Sequence, residues 1–444
     1  MLFEDFKRIV TAFADTETDM DLSRGVMLVQ IRDEVIEARL SMRGGDLVVE
    51  ESGTTYPAAT WVINRIARVP LLAERLLTYV PVIESFVTPA GRLLDQPNEA
   101  PEDEDVPAID ALSATSELLG RRSPGTTSVL YLTSDAGEGK TTLINSLARQ
   151  QAAAYKDKAT DWLLVPIPLG GRTFLRFDDV VIAALVNRLR FPFLYFDAFL
   201  ELVRLGVIVP AFDGFEEMMI EASAGEAISA LGNLVRNLRS EGTVLIAARK
   251  AYFDYPSFRS QARLFDAIGQ DSVAFARVAL ERWSRDQFIE YASKRQLKEP
   301  DKTYDLVAQR LTPEHPLVTR AVLVRRLVDV AKELPNLTAL LDQIGYHPQD
   351  YFYQFANTIV EREAAEKWLD KAGDPPQPLL TVEEHHQLLA MIAQEMWLST
   401  TDNIRSDFVG VVGDVFAEQH RKTPSVARQI RERLKQHSLL VAGP

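Results

Sequence analysis

Apolar positions follow two periods along this chain, and the changes of period mark its parts. Leu2 to Ala14 places Phe3, Phe6, Ile9, Val10 and Phe13 at helical spacing. Val26 to Leu40 is apolar and charged by turns, Arg43-Gly44-Gly45-Asp46 reads as a turn, and Leu47 to Glu50 reads as a short strand. Helical spacing returns from Trp61 to Leu77. Residues 1–90 are therefore expected to form a small α+β unit. Asp95 to Asp105 then carries six acids and no base, with three prolines by Pro107. Such a stretch cannot bury enough apolar surface to fold, so 91–113 is expected to be an acidic linker.

From about residue 114 short apolar strands alternate with helices. Ser128–Leu132, Trp162–Leu169, Gly206–Phe212, Thr243–Ala248 and Val273–Leu280 read as strands. Leu143–Ala154, Asp178–Leu189, Leu194–Arg204 and Ala222–Arg239 read as helices. That alternation predicts an α/β fold with a parallel sheet covered on both faces, over 114–280. After Glu281 the strand signals fade. Helical patterns follow at Trp283–Arg295, Leu317–Leu334, Asp350–Lys371, Val382–Trp397, Thr401–Phe416 and Pro424–Gln436. They predict a helical domain over 281–345 and a winged-helix-like domain over 346–444, cut off where its wing is expected.

The stretch around which the chain is organised is Thr133-Ser-Asp-Ala-Gly-Glu-Gly-Lys-Thr-Thr142, between the first of these strands and its helix. Strand, Gly-rich turn and helix N-terminus together form a phosphate-binding loop. Its backbone N–H groups face an anion, Lys140 reaches the β- and γ-phosphates, and the Thr141 hydroxyl holds Mg²⁺. Ser134, Ala136, Gly137, Glu138, Gly139, Lys140, Thr141 and Thr142 are the candidate nucleotide contacts. Ser134 stands where the full pattern has its first glycine.

Two other strand ends are expected to meet this loop, because ligands of parallel sheets sit at the carboxyl ends of strands. Asp213-Gly214-Phe215-Glu216-Glu217 closes one. Asp213 is the second candidate metal ligand, and Glu216 or Glu217 would polarise the attacking water. Arg249 closes the next strand and would sense the γ-phosphate or stabilise transition-state charge.

Composition narrows the chemistry further. The chain has no cysteine, and its first histidine is His315. Residues 1–314 therefore hold no Ser-His-Asp triad, Cys-His dyad or His/Cys zinc site. The formal net charge of −14 argues against a whole-surface affinity for nucleic acid. No run of about 18 apolar residues would span a membrane. With no signal peptide evident, a cytoplasmic location is expected. Asp46, Glu50 and Glu51 resemble a metal cluster in spacing but are read as solvated turn acids. His315 is read as a cap before Pro316, and His385 and His386 as surface residues. Arg325 and Arg326 are read as a solvated helix face.

Gly137 to Thr142, the block from Asp213 to Glu217 with glycine directly after the aspartate, and Leu245-Ile-Ala-Ala-Arg249 resemble a NACHT-type member of the STAND class of P-loop NTPases. The resemblance covers about residues 114–444 and implies a bacterial member. Pro316 resembles the family proline that packs against adenine. The family's winged helix touches the β-phosphate through a histidine, for which His437 is the candidate. The resemblance implies an ATP/ADP- and Mg²⁺-dependent signalling switch, with nucleotide state controlling domain arrangement and self-assembly. In bacteria such proteins are often linked to defence against phage. Residues 1–90 would take the place of an effector or adaptor domain. A homo-oligomer or a partner protein is implied. Two other readings remain: an AAA+-like ATPase acting on DNA, and a nucleotide-binding scaffold without turnover.

Overall fold

The computed structural model describes residues 1–94, 107–169, 177–215, 224–250, 273–334, 336–344, 356–357, 359–370, 377–398, 406–434 and 437. The N-terminal unit opens with helix α1 (Phe3–Phe13) and continues as an antiparallel meander. Its strands are β1 (Asp19–Asp21), β2 (Val26–Ile31), β3 (Glu34–Arg43), β4 (Asp46–Glu51) and β5 (Thr54–Pro57). Alternation along β2 turns Met27, Val29 and Ile31 inward. Helix α2 (Ala58–Trp61) runs through a wider π turn (Val62–Ile66) to α3 (Val69–Tyr79).

A seven-stranded sheet follows, in the order β7-β6-β12-β8-β11-β10-β9. Its five parallel members are β8 (Thr127–Ser134), β9 (Leu163–Pro168), β10 (Ile208–Asp213), β11 (Thr243–Arg249) and β12 (Val273–Leu280). Each shows both-face burial. On β8, Val129 and Tyr131 join one core while Leu130 and Leu132 join the other. On β11, Val244, Ile246 and Ala248 face the first core, and Leu245 and Ala247 the second. Near-continuous apolar runs are what a parallel sheet buried on both sides requires.

Two elements correct the expected linker. β6 (Ala90–Leu94) pairs antiparallel with β12, and β7 (Ile109–Asp110) pairs with β6. Helix α4 (Ala111–Gly120) follows, capped by the Asp110 carboxylate on the Ser113 N–H at 2.7 Å. Leu94 is buried, and Arg92 on the same strand pairs with Glu281 at 2.6 Å. Residues 90–94 and 109–120 are thus part of the sheet layer, and only 95–106 of the acidic stretch lies outside the described residues. The local composition hid a short strand whose partner is almost 190 residues away.

The N-terminal unit is docked on this layer. Its apolar core is continuous with the sheet core that holds Val129, Tyr131, Phe212 and Ile246. Helix α5 (Lys140–Lys156) packs against α3, and Arg149 on it donates to the carbonyls of Leu77 and, at 2.8 Å, Val80. The remaining helices of the layer are α6 (Phe177–Ile182), α7 (Phe196–Arg204) and α8 (Ala224–Asn237). Glu201 on α7 is buried and pairs with Arg204 on its own helix and with Arg8 of α1, the latter at 3.2 Å.

The C-terminal part is helical. It comprises α9 (Arg285–Lys294), α10 (Pro300–Arg310), α11 (Pro316–Thr319), α12 (Ala321–Glu333), α13 (Leu337–Ile344), α14 (Val382–Leu398), α15 (Ser406–Gln419) and α16 (Pro424–Leu434). Ser284 and Gln287 close a capping box at α9. The single helix expected from Leu317 to Leu334 is broken at Arg320, whose backbone is extended. The helical pattern expected to Lys371 ends instead in β13 (Leu369–Asp370), paired with β14 (Gln377–Pro378). Helices α14 to α16 share a small core around Leu388, Val412, Phe416 and Ile430. Residues 438–444, which include the apolar stretch Ser438–Ala442 expected to start a strand, lie outside the described residues. No helix among the described residues is long and apolar enough to cross a membrane.

The Glu201 carboxylate gives a test of this docking. Glu201→Leu leaves Arg204 in a buried place with its charge uncompensated, a change that costs about 3 kcal/mol. Urea denaturation of the variant should show a loss of that size, and unchanged stability would contradict the buried Glu201–Arg204 pair on which Arg8 docks.

Candidate functional site

The phosphate-binding loop sits where β8 ends and α5 begins. Gly137 and Gly139 have φ of +80° and +104°, a backbone region that L side chains rarely adopt. Gly139 is the N-cap of the 17-residue α5 and offers no side-chain cap. The first N–H groups of that helix and its dipole are therefore directed at the loop's concave side.

Lys140 folds back over the loop. Its ammonium donates to the Ser134 carbonyl at 3.1 Å, the Ser134 hydroxyl at 3.0 Å and the Asp135 carbonyl at 3.3 Å. Ser134, which replaces a glycine of the usual pattern, is buried and lends Lys140 an acceptor. Ala136 lies within the loop, and Thr142 is exposed on the first turn of α5.

The Thr141 hydroxyl donates to Asp213 Oδ2 at 2.6 Å. This contact joins the start of α5 to the end of β10 across 72 residues of chain. Arg249 ends β11 and lies in register with Ser134, the last residue of β8. Asp213, Ser134 and Arg249 thus end neighbouring strands on one edge of the sheet. Glu216 and Glu217, the expected water-polarising pair, lie outside the described residues.

The donor set suits a hard divalent ion. A nucleotide-bound magnesium takes one or two carboxylates or hydroxyls from the protein and the rest from phosphate and water. Thr141 and Asp213 supply that much. Among the described residues no group of three or more His, Cys, Asp or Glu would build an all-protein metal cage. This includes Asp46, Glu50 and Glu51. Glu51 is no solvated acid: it accepts from Trp61 Nε1 at 2.6 Å and from Arg65 Nε at 3.0 Å, fixing α2 to β4.

The helical module closes on the same loop. The Val322 N–H, in the first turn of α12, donates to the Gly137 carbonyl at 3.1 Å. A Cβ added at Gly137 would lie 2.5 Å from Val322 Cγ1 and 3.7 Å from an Arg362 guanidinium nitrogen. Pro316 opens the four-residue α11 immediately before, behind His315, whose Nδ1 accepts the Leu317 N–H at 3.2 Å. Burial lowers the His315 pKa.

Glu138 is almost fully buried in the loop, with its carboxylate accepting the Asp135 N–H at 2.9 Å. Burial and then the Asp135 charge raise its pKa, against Arg320 and Lys140.

Two histidines require correction. His385, expected at the surface, is fully buried, because His385, Leu388 and Ile392 share one face of α14. Its ring meets Trp368 edge-on at 4.7 Å and lies 5.6 Å from the ring of His437. His386 is partly buried, bonded through Nε2 to Asn357 Oδ1 at 3.0 Å. His437 is also buried, and it sits within the field of Arg249, whose charge disfavours the imidazolium. The apolar spacing Leu388–Ile392 was the available sequence signal for His385.

Neither a scan against protein-family models nor a search of curated proteins gave a match. Among solved structures, the Aeropyrum pernix ORC1 protein in complex with DNA is 14% identical, over 77% of this chain and 94% of its own, with a TM-score of 0.36. The Aeropyrum pernix ORC2 protein, in ADPNP–ADP complexes, is 12% identical over 73% and 94%, with a TM-score of 0.38. Cdc6p from Pyrobaculum aerophilum is 16% identical over 74% and 85%, with a TM-score of 0.28. At such values these likenesses carry no weight for function. The strand order and the loop geometry described above are those of a P-loop NTPase fold.

Two measurements test this site. Gly137→Ala forces a Cβ into Val322 at a strained φ, which should destabilise the fold by about 1–3 kcal/mol. An unchanged melting temperature would contradict the close seating of α12 on the loop. Burial, more than any neighbouring charge, lowers the pKa of His385 and of His437 to about 4. The unfolded chain takes up protons from about 6.5 downward while the folded chain resists until about 4. Stability should therefore fall as pH drops through that window, by roughly 1.4 kcal/mol per pH unit per histidine. Urea midpoints across the window should show a shallower slope for His385→Leu, and an equal slope would contradict the buried neutral imidazole.

Proposed function

We propose that this chain is an ATP-binding and ATP-hydrolysing switch of the NACHT type, whose nucleotide state sets the arrangement of its helical modules and its self-assembly. The observation that carries the reading is the 2.6 Å bond from Thr141 to Asp213, beside a lysine folded onto a glycine-bearing loop. A hydroxyl, a carboxylate and an ammonium group gathered at one loop are the groups a triphosphate and its metal call on, and this supports the reading.

The residues then divide the work. Loop N–H groups and Lys140 hold the phosphates, with Lys140 exchanging its contacts to Ser134 and Asp135 for phosphate oxygens. Thr141 and Asp213 would hold a magnesium ion, which would supply positive charge against the phosphates. Arg249 takes the γ-phosphate, and Glu216 or Glu217 orients the attacking water. Pro316 borders the base. His437 reports the phosphate end of the site to the C-terminal helices, a role supported by the Arg249 charge that its imidazole feels. The Gly137–Val322 hydrogen bond supports the switch itself, since a change at the loop is felt directly in α12.

Glu216→Gln or Glu217→Gln should retain MgATP binding while turnover falls about 100-fold or more. Phosphate release and retained nucleotide, measured on one preparation, check this, together with the mass in solution in ADP and in ATP. Tight retention without turnover by the unaltered chain would favour a nucleotide-stabilised scaffold instead. Salt-dependent DNA binding abolished by Arg325→Ala with Arg326→Ala would favour an ATPase acting on DNA. Both side chains are exposed on α12.

A further inference from the structure

We propose that Arg282 and Arg320 are positioning residues for the nucleotide, acting by neutralising the phosphate loop's own carboxylates, Asp135 and Glu138. The proposal rests on the nucleotide reading above. A loop built to receive a polyanion is hindered by acids of its own, and this loop has two of them flanking Ala136 and Gly137. Lys140 alone leaves it with a surplus of negative charge. The missing positive charge comes from outside the loop.

Arg282 follows β12 and faces both acids. It lies 3.9 Å from Asp135 Oδ2 through Nη2 and 3.7 Å from Glu138 Oε1 through Nε. Arg320 sits in the extended break between α11 and α12, with Nη2 3.9 Å from Asp135 Oδ2. All three distances exceed hydrogen-bond length, so the coupling is Coulombic rather than bonded. Arg320 is largely buried, and its Nε finds no hydrogen-bond partner among the described residues. It is therefore held in place as a charge more than as a donor. Glu138 is fixed by its bond from the Asp135 N–H, so the two acids and the two arginines form one cluster.

The consequence is a dependence of affinity on closure. Arg320 is part of the element that donates the Val322 N–H to Gly137. When that element leaves the loop, the acids lose a cation and the loop repels phosphate. Nucleotide affinity and module closure then reinforce each other, as linkage requires.

The test is a charge-specific cycle on the full chain, stripped of nucleotide, with MgATP affinity measured by calorimetry. Arg282→Gln should weaken binding about tenfold, the scale of effect expected on removing one partner of a close charge pair. Arg282→Lys should retain most of the affinity, because charge rather than fork geometry is used. In an Asp135→Asn/Glu138→Gln background the same Arg282→Gln change should cost less than about threefold, since the charge it neutralised is gone. Arg320→Gln should follow the same pattern. Should that variant fail to fold, the Arg282 series decides alone, because its side chain is half exposed. Equal losses in both backgrounds, or no loss from Arg282→Gln, would overturn the arginine proposal while leaving the nucleotide site standing. No binding by the unaltered chain would overturn both.

Discussion

The turn from Asp135 to Gly139 is the constraint on which the rest of this structure depends. Its backbone enters left-handed regions twice, at Gly137 and Gly139, and then passes straight into a long helix. Such a turn leaves N–H groups without acceptors of their own and points a helix dipole at the same spot. The neighbouring strands run out at that level, so Asp213 and Arg249 arrive there by sheet register alone. The core on either side of the sheet keeps the register from slipping, because a one-residue shift would exchange the two buried faces.

The turn also holds the chain's parts to one another. Its carbonyl at Gly137 takes an N–H from α12, and its acids face Arg282 after β12 and Arg320 at the start of α12. On the opposite side, α5 carries Arg149 to the carbonyls at the end of α3. The loop thus touches the C-terminal helices through α12 and, by way of α5, the end of α3 in the N-terminal unit.

Much of the sheet and its loop was legible because the signals are local. Apolar runs such as Leu130–Leu132 and Thr243–Ala248, a glycine pair before Lys140 and a strand-ending Asp213 each announce themselves within a few residues. What stayed hidden depends on distant partners. β6 is unremarkable as five residues and is defined by pairing with β12. The break at Arg320 has no proline or glycine to mark it; it lets Val322 reach Gly137. His385 reads as polar surface beside a second histidine, yet the helical stripe it shares with Leu388 and Ile392 buries it against Trp368. Glu51 reads as a turn acid because its partners, Trp61 and Arg65, lie 10 and 14 residues on.

The most direct test of the central claim is the heat of MgATP binding to protein stripped of nucleotide, with Lys140→Met as the comparison. The account predicts saturable binding at one site per chain and its loss when the ammonium group is replaced by a thioether. No binding heat from the unaltered chain, or the same heat from both proteins, would contradict it.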